Sequence, residues 1–165
     1  MRTGIMLALL VGLIGFAAAA SASDSAIERI SLTGLTTLSV VVEDLAAVAE
    51  KSGLTRATLE SDAQRRLQQA GISVTPDADA YLYIHVIVAD AGSSLPLPYV
   101  IDVALMQEVT LPRGLKTRTP LQCHTWWVNS LGLTGPDRLR AAVGDRVNEF
   151  VDQFIRAYRS VNPRP

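Results

Sequence analysis

The sequence predicts an α+β fold, a two-layer sandwich in which two helices pack on one face of a mainly antiparallel sheet of about four strands. Two segments carry apolar residues at helical spacing on one side only, which predicts two amphipathic helices. Between them, β-branched and aromatic runs follow one another across short turns, a pattern typical of antiparallel strands. Placing both helices on the same sheet face buries every apolar stripe.

The first 22 residues predict a secretory signal peptide. Arg2 supplies a basic start, residues 5–20 carry no charge, and Ala20-Ser21-Ala22 forms an A-x-A cleavage site. The apolar run is short for a membrane span, which needs about 20 residues, and the alternative is an uncleaved N-terminal anchor. We therefore expect a single mature domain over residues 23–165, located in the periplasm or outside the cell.

Composition excludes several classes of protein. With 48% hydrophobic residues the chain is not intrinsically disordered, and a net charge of −1 argues against a nucleic-acid partner. The single cysteine, Cys123, excludes an intrachain disulfide. Its position far from the predicted cleavage site also argues against a lipoprotein, whose lipid is carried by a cysteine directly after the signal peptide.

The first half of the mature chain predicts one strand and one clear helix. Residues 23–29 form a polar lead-in that we expect to be mobile, and residues 37–43 alternate as a strand. Residues 44–53 fit either a short helix or an ordered loop. Residues 54–71 predict a helix, with Thr55 as its N-cap and Gly71 just after its end.

The second half predicts four further strands and a long helix. A short strand covers residues 72–74, and residues 80–89 predict a central strand because both of their faces are largely apolar. Residues 99–111 and 121–129 predict two more strands, joined by a hairpin loop. The final helix opens at Pro136-Asp137, carries an apolar stripe from Leu139 to Tyr158, and ends at Asn162-Pro163.

This arrangement leaves the second sheet face open. A half-apolar open face is a candidate surface for an envelope protein or for a second copy of the chain. The alternative is that the N-terminal segment or residues 44–53 cover it. The residues expected on this face are Tyr83, His85, Asp102, Met106, Glu108, His124 and Trp126.

Two further features could take part in binding. Arg113, Lys116 and Arg118 lie in the predicted hairpin loop and could contact an anionic headgroup, although such a loop is more often a solvated turn. Trp126 and Trp127 point to opposite sheet faces, so that one packs under the helices and the other is a possible binding anchor.

No catalytic or cofactor-binding residue is predicted. The chain has no phosphate-binding glycine loop, no G-x-S-x-G and no H-E-x-x-H. Cys123 and His124 are strand neighbours that point to opposite faces, so they cannot form a nucleophile–base pair. Asp77, Asp79 and Asp90 fit turn positions rather than acid–base catalysis.

A metal site is a further possibility. His85 and His124 could share the open face with Asp102 or Glu108, and such a set could hold zinc. Two histidines in a chain of this size are more often hydrogen-bonded surface or core residues. We therefore predict no metal.

Several segments together resemble a group of small exported bacterial proteins of uncharacterised function. The segments are SVVVEDL, GLTRATLESDAQRRLQQAGISV, AYLYIHVIV, the Thr125-Trp126 pair and EFVDQFIRAY..NP. The inferred architecture is also similar to the lipopolysaccharide-assembly lipoprotein of the outer membrane and to the N-terminal domain of the Tol translocation protein. The chain departs from the lipoprotein pattern because it lacks an N-terminal cysteine. The resemblance implies an exported α+β protein and no particular activity.

The sequence therefore favours a non-enzymatic binding domain for a protein or envelope component. The alternative is a soluble carrier of lipid or another amphiphile that uses the same face and the basic loop, and a metal-dependent enzyme is the third hypothesis. An exposed, flat, apolar face would support the first, and a deep apolar pocket between helices and sheet would support the second.

Overall fold

A computed structural model of the chain describes residues 23–90, 96–110 and 121–163. These residues form five strands, four α-helices and a 3-10 turn. In chain order the elements are α1 (Ala26–Ile30), β1 (Thr37–Val42), α2 (Ala47–Lys51), α3 (Arg56–Gln69), β2 (Ser73–Val74), β3 (Tyr81–Val88), β4 (Leu97–Val109), β5 (Leu121–Thr134), the turn Pro136–Arg138 and α4 (Leu139–Val161). The predicted signal peptide and the predicted 112–120 loop lie outside the described residues, so both stay predictions.

The five strands form one mixed sheet in the order β2-β1-β3-β4-β5. Strand β1 pairs in parallel with both β2 and β3, whereas the β3–β4 and β4–β5 pairs are antiparallel. The α+β class is confirmed, but the expectation of about four mainly antiparallel strands is wrong for the first half of the chain. Parallel neighbours need a long crossover, and residues 43–72, which include α2 and α3, supply it between β1 and β2.

The two long helices pack on one face of the sheet, as the apolar stripes predict. Thr55 caps α3 by accepting a hydrogen bond from the Thr58 backbone N–H at 3.2 Å, and Gly71 follows the helix with a φ of 81°. That positive φ is accessible to glycine without steric cost. On α4, Phe154 stacks edge-on against Trp126 with ring centroids 5.2 Å apart. The core therefore lies between the helix layer and the inward face of β1, β3, β4 and β5.

The residues before β1 include α1 and contact the helix side of the molecule. Asp24 accepts hydrogen bonds from the Arg29 side chain and from the Trp126 indole N–H, the latter at 2.9 Å. Farther along, the Gly34 backbone N–H donates to Asn162 Oδ1 at 2.8 Å, next to the end of α4. The N-terminal segment is thus bound at both of its ends to the helix side of the molecule.

Strand β5 differs from its prediction in two ways. A β-bulge interrupts its pairing with β4, since Leu105 pairs with Trp126 while Met106 pairs with His124, and Thr125 is left between them. The strand also continues to Thr134, five residues beyond the predicted end at residue 129. The bulge shifts the alternation of side chains, which decides where the two tryptophans lie.

Candidate interaction surface

The uncovered face of the sheet is organised as rows of side chains that run across the strands. In the first row, the backbone register places Ser39, Tyr81, Met106 and His124 side by side. The second row, which we call the aromatic row, contains Val41, Tyr83, Ala104 and Trp127. The next is the polar row, which contains Glu43, His85, Asp102 and Asn129. Beyond it lies the apolar row, formed by Ile87, Val100 and Leu131.

As far as the structure describes them, neither of the two segments suspected of covering this face does so. The N-terminal segment binds the helix side through Asp24, and α2 buries Ala49 in the core at the end of the sheet. The apolar side chains of the open face stay exposed, with Val41 at 41% and Ile87 at 48% of their full area. The described residues therefore leave the apolar surface around the polar row uncovered.

A hydrogen-bonded group occupies the β1 and β3 end of the polar row. His85 Nε2 lies 3.0 Å from Glu43 Oε2, and both side chains are partly exposed. The Tyr83 ring lies 6.1 Å from the His85 ring, centroid to centroid. The Tyr83 hydroxyl also hydrogen-bonds to Glu43. Glu43 thus accepts from a histidine and a tyrosine in adjacent rows.

The environment of Tyr83 keeps its phenol protonated. Partial burial, followed by the hydrogen bond to Glu43 and its negative charge, raises the pKa of Tyr83 to about 12. At neutral pH the hydroxyl is therefore a hydrogen-bond donor and not a nucleophile or base. The hydrogen-bonded group offers polar contacts and is surrounded by apolar side chains. This arrangement suits recognition of a partner with one or two matching polar groups.

Most of the predicted surface residues lie on the open face. Tyr83 and His85 are on β3 in the aromatic and polar rows, and Asp102 is beside His85 on β4. Met106 and His124 pair with each other one row beyond the aromatic row. Glu108 lies farther out, opposite Gln122.

Trp126 is the exception, and its expected position on the open face is wrong. Its side chain is fully buried under α4 at 0% exposure. Regular alternation would put His124 and Trp126 on the same face, but the bulge at Thr125 turns Trp126 inward and Trp127 outward. Trp127 therefore takes the place in the aromatic row that the sequence assigns to Trp126.

The two histidines do not form a metal site with each other. His124 lies two rows away from His85, which corresponds to about 13 Å along the strands. Among residues 23–90, 96–110 and 121–163, no three His, Cys, Asp or Glu side chains converge to hold a metal ion. The expected anion contacts Arg113, Lys116 and Arg118 lie outside the described residues, so that prediction is untested.

Several surface residues have a sequence signal that the prediction does not use. Trp127, Asn129, Leu131 and Leu133 alternate at period two, which marks one face of a strand. Small residues lie between and after these side chains, namely Ser130, Gly132 and Gly135. Such residues are typical of a loop, so the end of the strand is not predicted. Glu43 follows the last residue of β1 directly and continues its outward alternation.

A cleft of about 560 Å³ lies at the end of the sheet, next to α2 and the 3-10 turn. Its lining mixes apolar and polar side chains, and it is not placed between the helix layer and the sheet. The lining residues are Val48, Lys51, Ser52, Asp90, Leu97, Pro136 and Asp137. This lining is about as polar as it is apolar, whereas a site for a lipid chain is predominantly apolar.

Within the part of the chain that the structure describes, we find no helix with the length and apolarity needed to cross a membrane. The chain has a single cysteine and so forms no internal disulfide.

Comparison with known proteins does not establish a family. No protein-family model matches the chain, and no curated protein matches it either. Among solved structures, a PelC dodecamer from Paraburkholderia phytofirmans shows 12% identity and a TM-score of 0.42, covering 76% of this chain and 86% of that one. A minor lipoprotein from Acinetobacter baumannii shows 12% identity and a TM-score of 0.35, covering 74% and 91%. At these values neither likeness establishes a shared function.

Proposed function

We propose that this chain is a non-enzymatic, exported binding domain that holds a protein or another envelope component against the open face of its sheet. The observation that carries the proposal is that the rows of side chains on that face are left uncovered by the described residues. Val41 and Ile87 are exposed on either side of the hydrogen-bonded group of Glu43, Tyr83 and His85. Export rests on the predicted signal peptide.

The chemistry of the face favours association over catalysis. An apolar surface interrupted by a few fixed polar groups resembles the composition of protein interfaces, in which aromatic side chains supply much of the binding energy. The phenol of Tyr83 is held protonated, and Glu43 is already engaged by two donors. These groups are therefore suited to fixing the orientation of a partner, and we assign them no reaction.

The carrier hypothesis has less support. Large side chains from both layers, including Trp126, Leu105 and Phe154, are fully buried in the helix–sheet interface. The cleft at the end of the sheet has a partly charged lining that includes Lys51 and Asp137. A carrier would instead expose an apolar cavity matched to an acyl chain.

Site-specific photocrosslinking in the native envelope tests the proposal. A photoreactive amino acid at Ile87 reports on the open face, and the same residue at Arg156, exposed on α4, is the matched control. We expect a defined crosslinked product from position 87 that is absent from position 156. Identical products from both positions, or none from position 87, would contradict the proposed function.

A further inference from the structure

The outer edge of β5 is long and largely unpaired. β5 is the last strand of the sheet and spans 14 residues. Its beginning is partly covered, because the Ser31 hydroxyl donates to the Thr125 carbonyl at 3.2 Å and α1 packs nearby. Among the described residues, no backbone hydrogen bond joins residues 127–134 to any segment except β4. Every second residue there presents its N–H and C=O to the outside.

Beyond the bulge at Thr125 and the cover by α1, residues 127–134 of this edge lack the features that usually prevent strand pairing. Protected edges are short, or carry charged residues and prolines. The opposite edge of this sheet ends in β2, which has only two residues. β5 contains no Asp, Glu, Lys, Arg or Pro. Of the apolar strand side chains that the structure describes, the two most exposed lie at its far end, Leu131 at 73% and Leu133 at 67%.

The natural complement of such an edge is another extended, uncharged strand, and β5 itself meets that requirement. In a two-fold contact each strand meets its own sequence, so a charged strand would repel itself whereas β5 would not. Residues directly opposite each other in an antiparallel pair point to the same face. A two-fold pairing of β5 can therefore place Leu131 opposite Leu131 and Leu133 opposite Asn129.

We propose that residues 128–134 of β5 pair antiparallel with the same residues of a second copy of this chain, with the two Leu131 side chains in direct contact. The paired segment lies between the bulge at Thr125 and the turn at Pro136–Arg138, so neither feature interrupts it. Both sheets then continue as one sheet with all helices on the same side. The pairing uses the edge and leaves Val41 and Ile87 free for the partner proposed above.

Disulfide trapping tests the register. In a Cys123→Ser background, Leu131→Cys should form an intermolecular disulfide under mild oxidation, because directly opposite Cβ atoms lie about 4.5–5.5 Å apart. Leu133→Cys is the matched control, since two such residues would lie four positions apart, about 13 Å along the strands. A mixture of Asn129→Cys and Leu133→Cys chains should crosslink to each other. Equal crosslinking of the 131 and 133 variants, or none at 131, would overturn the proposal.

Sedimentation of the full mature chain gives an independent readout. Leu131→Lys should weaken self-association by about tenfold or more, because each copy loses a buried leucine and gains a like charge at the two-fold axis. Ile87→Lys, on β3 away from the edge, should leave self-association unchanged but weaken binding at the open face. A native chain that sediments as a monomer at every concentration would refute the pairing while leaving the proposed function intact.

Discussion

Asp24 shows how a single polar side chain fixes the N-terminal segment to the core. Its carboxylate accepts from Arg29, from the Trp126 indole and from Gln153, and its side chain is 10% exposed. Partial burial raises the pKa of Asp24, but the hydrogen bonds and the Arg29 charge outweigh it and hold the pKa below its ordinary value of 3.8. The buried Trp126 N–H depends on this one acceptor.

Replacing Asp24 with alanine should therefore lower the free energy of unfolding by about 1–3 kcal/mol, since the indole N–H is left buried without an acceptor. The lowered pKa means that the carboxylate contributes fully above its ordinary pKa and loses that contribution as the pH falls through the folded value. Urea titrations at neutral and acidic pH would measure both effects, and the variant should show less acid dependence than the native chain.

A matched control is Asp44→Ala, which removes an exposed ion pair with Arg56. Exposed pairs contribute little, so the change should stay within about 0.5 kcal/mol. Equal effects of the two substitutions would show that Asp24 does not support Trp126 in the way we describe.

Glu43 should add to the effect of burial in raising the pKa of Tyr83. Burial, the hydrogen bond to Glu43 and its charge raise the pKa of Tyr83 to about 12, so Glu43→Gln should move that pKa down toward the ordinary 10.0. The raised value also means that the protonated phenol stabilises the fold below pH 10 and loses this contribution as the pH rises toward 12. NMR titration of the Tyr83 ring measures the shift, and an unchanged pKa in the variant would exclude Glu43 as a cause.

At the scale of elements, local patterns predict helices well and the sheet less well. Thr55, Gly71 and the stripe of α4 identify their helices because capping and helical spacing are local properties. The parallel pairing of β1 depends on where distant segments meet, which no local pattern specifies. The bulge at Thr125 likewise has no local sequence signal, because one extra residue in a strand leaves the composition of the strand unchanged.

In the continuation of β5 beyond residue 129, Gly132 lies in close contact with Tyr99. A Cβ at position 132 would lie 2.1 Å from the Tyr99 ring, so the glycine makes room for the aromatic side chain across the β4–β5 pair. Gly132→Ala should cost about 1–3 kcal/mol of stability by overpacking. In a Tyr99→Ala background the same change should cost less than about 0.5 kcal/mol.

Chemical denaturation of the four chains in this cycle measures the coupling between the two positions. A Gly132→Ala cost that persists unchanged after removal of the Tyr99 ring would show that the glycine is needed for another reason.

At the scale of the molecule, the packing of both long helices on one side follows from their single apolar stripes, and so does the existence of an open face. The sequence places Tyr83, His85, Met106 and His124 on that face correctly, since none of them lies beyond the bulge. Trp127 is assigned to the wrong face because the bulge is set by pairing with β4, and Leu131 and Leu133 are missed because the small residues Ser130 and Gly132 resemble a loop.

The central claim is that the open face is occupied in the envelope, and cysteine accessibility at Ile87 tests it most directly. In a Cys123→Ser background, Ile87→Cys and the control Arg156→Cys would be labelled with a thiol reagent in the purified chain and in intact envelopes. We predict that both react in the purified chain, while position 87 is protected and position 156 remains reactive in the envelope. Equal reactivity of the two positions in the envelope would contradict the account.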